Sequence, residues 1–422
     1  MAHFARNLLF GAALWLASAG LARAATPDIH SRAPPDSRRQ VLVLMRLPPD
    51  HFRPNADSGG SYGDGLGRGA RRRIAVRLAH DHGLTLVSDW PLPLVGVDCY
   101  VMSVPANQSP QDVAAILSRD PAVAWSEPMN IYHGQGAAAA TGADPLFRVQ
   151  PAAREWRLAE LHQIATGRNV RVAVIDSMIE KAHPDLLGQV QVSENFVSDQ
   201  SDAPEQHGTG VAGIIAARGV GIVGIAPQAR LMALRACWQE ATGKVDTGAT
   251  ICDSLSLAKA VHFAIAHNAQ VINMSLSGPP DPLLSRLLDL ALARGVTVVG
   301  AYDRNLAGGG FPASHAGVVA VVDEPSPARL AGVIAAPGRD VPTTQPGGRW
   351  FFVNGSSYAA AHVSGLFALL RERGPPSSRG AAALVTASPG GAIDACATLV
   401  RATGPCNCAC SREHSPMAIS RQ

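Results

Sequence analysis

From about Leu146 onward, short apolar runs alternate with longer helical stretches. "VRVAVID", "ARLMALRA", "AQVINMSL", "VTVVGA" and "GVVAVV" have the near-continuous apolar pattern of strands buried on both faces. Between them, "GTGVAGIIAA", "SLSLAKAVHFAIAHN" and "PLLSRLLDLALARG" read as helices. The alternation over residues 146–401 predicts an α/β domain built on a doubly wound parallel sheet. Periodicity then stops, and residues 402–422 read as a loose, cysteine-containing tail.

The preceding segment is patterned differently. "VLVLMRL" reads as a strand, and "RRRIAVRLAHDHG" as a helix closed by glycine. "LTLVS" and "VDCYVMSVP" are strand-like, "SPQDVAAILSRD" is a serine-capped helix, and "AVAWSEP" is a last strand. This β-α-β-β-α-β order over residues 40–133 predicts a small ferredoxin-like module, an open sheet with two helices on one side. "NADSGGSYGDGLGRGARRR", between the first strand and helix, reads as a glycine-rich insert. Residues 134–145 have linker composition, rich in alanine and glycine.

The first 24 residues, "MAHFARNLLFGAALWLASAGLARA", have a basic start, an apolar segment and a small-residue close at Ala22-Arg23-Ala24. That pattern predicts a secretory signal peptide and a secreted or periplasmic protein. No other apolar stretch is long enough to span a bilayer. A formal net charge of +3 gives no argument for a nucleic-acid partner. Export makes the cysteines candidate disulfide partners. Cys237 and Cys252 bracket the polar loop "CWQEATGKVDTGATIC" and read as a local bridge. Cys396, Cys406, Cys408 and Cys410 cluster near the end, and Cys99 is left over. The "CNCAC" spacing is too tight for the usual zinc pattern, so no metal is expected there.

Three polar positions then change the picture. Asp176 ends the strand "VRVAVID", at the sheet edge where ligands of open α/β sheets sit. His207 opens the helix of "QHGTGVAGIIAA", and Ser357 opens that of "NGSSYAAAHVSGLFALL". Each has an ordinary explanation alone: a capping Asp, a packed His, a capping Ser. Together they supply a nucleophile, a base and the carboxylate that orients the base. A helix N-terminus beneath Ser357 also aims its own N–H at developing negative charge.

With these residues in that chain order, the sequence resembles the subtilisin-like serine proteases. "VIDSMIEKAHPDL", "HGTGVAGIIAA" and "NGSSYAAAHVSG" are similar to the family's aspartate, histidine and serine segments. "VINMSLSG", "FPASHAGVVAV" and "AAPGRDVPTTQPG" match in order, so the resemblance covers roughly residues 146–401. It implies a serine endopeptidase with Asp176, His207 and Ser357 as triad, and polypeptides as substrates. It implies further that Ser275, Leu276 and Ser277 form a strand edge that pairs extended substrate. The ferredoxin-like module looks like the family's inhibitory propeptide, a partner the chain carries itself.

The sequence also departs from the family pattern. Met178 stands where a Gly is usual, Gly210 replaces a His and Ala361 a Pro. The oxyanion Asn is displaced: "VVGAYDRN" puts Arg304 at the gap-free position, and a one-residue slip would bring in the neutral amide of Asn305, the expected donor. Met178 and the displaced Asn favour the alternative, a catalytically impaired binding or inhibitory protein of the same fold; the intact triad opposes it. "AARGVGIVGIAP" offers no side-chain oxygen for the family's tight calcium site, so no metal or other cofactor is expected. Its "GVGIVG" matches a dinucleotide fingerprint, but a helix precedes it and a strand follows, the reverse of what that motif requires. His183, His362 and Asp185 receive no role.

Overall fold

In a computed structural model of the protein, residues 37–47, 65–134, 137–139, 146–198, 200–240, 249–325, 332–374, 380–387 and 391–404 are described. The expected signal peptide, most of the tail with Cys406, Cys408 and Cys410, and parts of the expected insert and linker lie outside them. The first elements are β1 (Gln40–Arg46), α1 (Gly65–Asp81), β2 (Thr85–Leu92), β3 (Val97–Ser103), α2 (Pro110–Leu117) and β4 (Val123–Pro128). Their strands form an antiparallel sheet in the order β2-β3-β1-β4. α2 begins where the sequence placed its cap, with the Ser109 hydroxyl accepting from Asp112 N. α1 reaches back to Gly65, into the stretch read as an insert. Arg68 and Arg71 on its first turns pair with Asp89 and Asp98 of the sheet, so tertiary ion pairs hold a helix start whose glycines disfavour it.

β1 is buried on both faces, which a sheet covered by helices on one side alone would not require. Val41, Val43 and Met45 pack with Ala75, Leu78 and Val113 of the module's own helices. Leu42 and Leu44 point the other way, into a cluster with Leu257, Val261 and Leu287. Those last residues belong to α6 (Ser254–Ala266) and α7 (Pro282–Ala293) of the larger domain. At the rim of this contact Lys259 lies 4.5 Å over the Trp90 ring and Arg286 3.9 Å over that of Trp125. The module therefore sits with its second face on α6 and α7.

Between the module and those helices come β5 (Ile131–Gly134), β6 (Ala137–Ala139), α3 (Pro151–Glu155), α4 (Leu158–Ile164), β7 (Arg171–Asp176), β8 (Val190–Asn195), α5 (Gln206–Ala216), β9 (Arg230–Arg235), β10 (Cys237–Gln239) and β11 (Thr250–Asp253). After α6 comes β12 (Val271–Met274), and β13 (Leu276–Ser277) precedes α7. The chain closes with β14 (Thr297–Ala301), β15 (Val319–Val322), β16 (Val333–Ala335), β17 (Val341–Gln345), β18 (Arg349–Asn354), α8 (Ser356–Glu372) and α9 (Ala395–Thr403). The main sheet has the order β16-β15-β14-β12-β7-β9-β8 and every neighbouring pair is parallel. Alternate residues of β7 face opposite ways: Val172 and Val174 meet α5 and α8, while Ala173 and Ile175 meet α6 and α7. Helices thus cover both faces, the doubly wound arrangement expected. β8 and β16 were not foreseen, because β8 is an exposed edge and β16 only three residues long.

β5 and β6 each join one of two smaller sheets. β5 lies between β11 and β13 and pairs antiparallel with each: Ile251 and Ser277 face His133, and Leu276 faces Gly134. β6, inside the stretch read as linker, pairs antiparallel with β18, Ala137 facing Asn354. All described residues belong to one compact unit, Asp36–Gln422.

Candidate active site

Asp176 is the last residue of β7 and is buried. Its Oδ1 accepts from the Ser177 N–H at 2.7 Å and lies 2.7 Å from His207 Nδ1. His207 is held at the start of α5 because the helix packs tightly on this turn. The Gly208 N–H donates to Ser177 Oγ at 3.0 Å, and a Cβ on Gly208 would lie 2.3 Å from the Ser177 carbonyl oxygen. With Nδ1–H donated to the carboxylate, Nε2 carries the lone pair. That nitrogen is buried and has no hydrogen-bond partner among the described residues. An orphaned buried acceptor is costly and calls for an explanation.

Ser357 lies in the first turn of α8 and is fully buried. It does not cap the helix: the N-cap is Gly355, at φ 140°, with no side-chain cap bond. Its hydroxyl donates to the Ser275 carbonyl at 2.9 Å, and Ser275 Oγ donates back to the Ser357 carbonyl at 2.9 Å. Ser364 donates to Asn273, and Asn273 to Ser275, at 2.8 and 2.9 Å. This buried chain fixes Ser357 against Ser275, one residue ahead of β13. Leu276 and Ser277 themselves pair with β5, which occupies the strand edge assigned to substrate. Gly134 reaches the histidine, since a Cβ built on it would lie 3.3 Å from His207 Cε1. Two residues earlier Tyr132 is completely buried, its ring so close to Gly278 that a Cβ there would lie 2.3 Å away.

Two of the departures noted in the sequence, Met178 and Gly210, have local explanations. Met178 exchanges backbone bonds with Glu205, donating to its carboxylate at 2.6 Å and accepting from its N–H at 2.8 Å. Gly210 faces Tyr358: a Cβ on it would lie 3.4 Å from that ring, which itself sits 5.7 Å from the His207 ring. Burial first, then the Asp176 charge, pushes the Tyr358 hydroxyl up, so it is neutral. Sequence reasoning passed over this tyrosine; a large ring three residues after a glycine-allowed "NG" turn was the available signal. Asn305 is exposed and its amide donates to Asp303 Oδ1 at 3.0 Å, while Arg304 donates to the Glu324 carbonyl at 2.9 Å.

Cys237 and Cys252 form the expected disulfide, directly opposite one another in the β10–β11 pair. Cys99 is buried and free. The "GVGIVG" segment has the opposite role to a phosphate cradle. The N–H groups of Gly219 and Val220 donate to Asp185 Oδ1 at 3.1 and 2.5 Å, and those of Gly221 and Ile222 to Oδ2 at 3.0 and 3.1 Å. The Trp350 indole adds a bond of 2.7 Å to Oδ2. An internal carboxylate thus occupies the nest. His183 and His362 are structural: the first is 2.9 Å from the Arg349 carbonyl, and the second, 2.8 Å from the Tyr358 carbonyl, is pushed down to about 4 by burial. Among the described residues no group of three or more His, Cys, Asp or Glu is placed to hold a metal ion.

Comparison with known proteins gives the family and the fold. The model of the subtilase family, Peptidase_S8, matches residues 167–388. Subtilisin E of Bacillus subtilis (strain 168) is 32% identical over 279 residues, covering 61% of this chain and 68% of that protein. An alkaline protease of Alkalihalobacillus alcalophilus is 34% identical over 286 residues, covering 63% and 68%. Among solved structures, fervidolysin from Fervidobacterium pennivorans, a keratinolytic enzyme related to subtilisin, shares the fold with a TM-score of 0.62 at 20% identity. That match covers 85% of this chain and 60% of the other.

Proposed function

We propose that this chain, which belongs to the subtilase family, is an exported serine endopeptidase made as a zymogen. The observation that carries the reading is β5. This strand, which follows directly on the module's β4, lies in the cleft between β11 and β13, beside a histidine whose Nδ1 is paired with Asp176 and whose Nε2 has no partner among the described residues. A peptide strand of the chain itself beside the His207–Asp176 pair supports a reading in which this cleft takes peptide.

In the proposed cycle Ser357 Oγ turns from the Ser275 carbonyl to His207 Nε2. His207 takes its proton as the oxygen attacks the peptide carbonyl, and Asp176 stabilises the imidazolium that forms. The negative charge on the tetrahedral oxygen is met by the Ser357 N–H at the N-terminus of α8. Asn305 is the second donor, released from its exposed bond with Asp303. His207 then gives the proton to the leaving amine, and water, activated by the same histidine, hydrolyses the ester on Ser357.

The module is the propeptide. β5 pairs on one side of the catalytic residues and β6 with β18 on the other, so the first bond cut lies between Gly134 and Ala137. A fluorophosphonate probe should label Ser357 in the matured enzyme, and N-terminal sequencing should find the new terminus at residues 135–137. Ser357→Ala should abolish labelling and leave the precursor whole. Casein hydrolysis by Ser357→Ala equal to that of the parent would refute the assignment.

A further inference from the structure

Gly134 poses a question that backbone conformation does not answer. It is absent from the glycines with positive φ, so nothing in its dihedral angles demands glycine. The demand comes from its surroundings. A Cβ at this position would lie 2.8 Å from Thr250 Cβ, 3.2 Å from Thr250 Cγ2 and 3.3 Å from His207 Cε1. The first of these contacts is shorter than packed carbons tolerate. The nearest atom is a Cβ, which no rotation of the Thr250 side chain moves.

Neither wall yields easily. Thr250 is buried at the start of β11, opposite Gln239 of β10. Two residues on, Cys252 is covalently bound to Cys237 of that same strand. His207 is fixed from behind by its 2.7 Å contact with Asp176. Retreat of β11 would break the ladder that the disulfide pins.

We propose that Thr250 is a specificity-determining residue: with His207 it forms a slot that admits only glycine in the peptide strand opposite Leu276, in the chain's own propeptide and in other substrates. The proposal rests on the endopeptidase reading. Ser357 is bonded to Ser275, the residue before Leu276, so the substrate residue following that glycine is the one whose carbonyl is attacked. Glycine should therefore occupy the second position before each cleaved bond.

The test uses pairs of peptides differing only in glycine or alanine at that position, with the matured enzyme. The parent should prefer glycine by about a hundredfold or more in kcat/KM, as a close steric clash in a rigid site predicts. Thr250→Gly should reduce the preference below about tenfold, and Thr250→Ala, which keeps the Cβ, should retain it. Equal cleavage of both peptides by the parent, or an unchanged ratio in Thr250→Gly, overturns the proposal. A second measurement does not need activity. In full-length Ser357→Ala protein, adding Gly134→Ala should lower Tm by about 4 °C or more. Adding Gly134→Ala to protein that also carries Thr250→Gly should lower it by less than about 1 °C. A parent that cuts no peptide contradicts the endopeptidase reading, whereas absence of this coupling contradicts the slot.

Discussion

Replacing Asp185 by alanine removes the acceptor of four backbone N–H groups and the Trp350 indole at once. The Gly219 and Val220 N–H groups lie in exposed backbone and the Gly221 N–H in half-exposed backbone, so these three can turn to water. The Trp350 indole is half-buried and can likewise turn to water, so only the buried Ile222 N–H loses its partner without replacement. A buried donor left unsatisfied costs about 1–3 kcal/mol, so the expected loss is about 2 kcal/mol. For a domain of this size about 2–4 °C accompanies each kcal/mol, giving a fall in Tm of about 4–8 °C. Asp185→Asn keeps one acceptor oxygen and loses the charge, and should fall by about half as much. Scanning calorimetry in a Ser357→Ala background, where self-digestion cannot distort the transition, is the assay. A drop under about 2 °C for Asp185→Ala would show that the loop is not held by this carboxylate.

Other expectations follow from the same geometry. Asn305→Ala should lower kcat by about a hundredfold to a thousandfold with KM little changed, as for one oxyanion donor; a silent result, with Arg304→Ala crippled, would place the donor at Arg304. Replacing Cys237 and Cys252 by serine opens a loop of 15 residues' separation and should cost about 3 kcal/mol, read by thermal unfolding; unaltered stability would count against a bracing role. Burial, reinforced by the neighbouring Asp281 charge, pushes Glu127 up to about 9 in the bound module. A carboxyl whose pKa is higher in the complex than free takes up a proton on binding. The cut module should therefore bind fully below about pH 4.5 and lose affinity as pH rises towards 9, by up to about tenfold per unit. Measured release rates that do not change across that window, or a Glu127→Gln variant with the parent's profile, would contradict it.

Much was settled by local pattern. The buried strands of the main sheet announced themselves as apolar runs, because a strand covered on both faces has no position for a polar residue. The places of Asp176, His207 and Ser357 were legible as a strand end and two helix starts, because periodicity marks such places. The module's element order was legible for the same reason. What the sequence could not supply was anything set by approach between distant segments. That β1 would be covered on its second face by α6 and α7 depends on a docking that neither partner's pattern encodes. Asp185 looked idle because its partners are backbone N–H groups, which every sequence contains. Gly134 read as linker, and Thr250 as one more polar residue of a loop. Only the pairing of β5 between β11 and β13 brings Thr250, Gly134 and His207 together and turns an unremarked glycine into a steric requirement. Chain pattern fixes which face of an element is apolar; the distance between two backbones is decided by the packing of the whole, and in this cleft that distance is the chemistry.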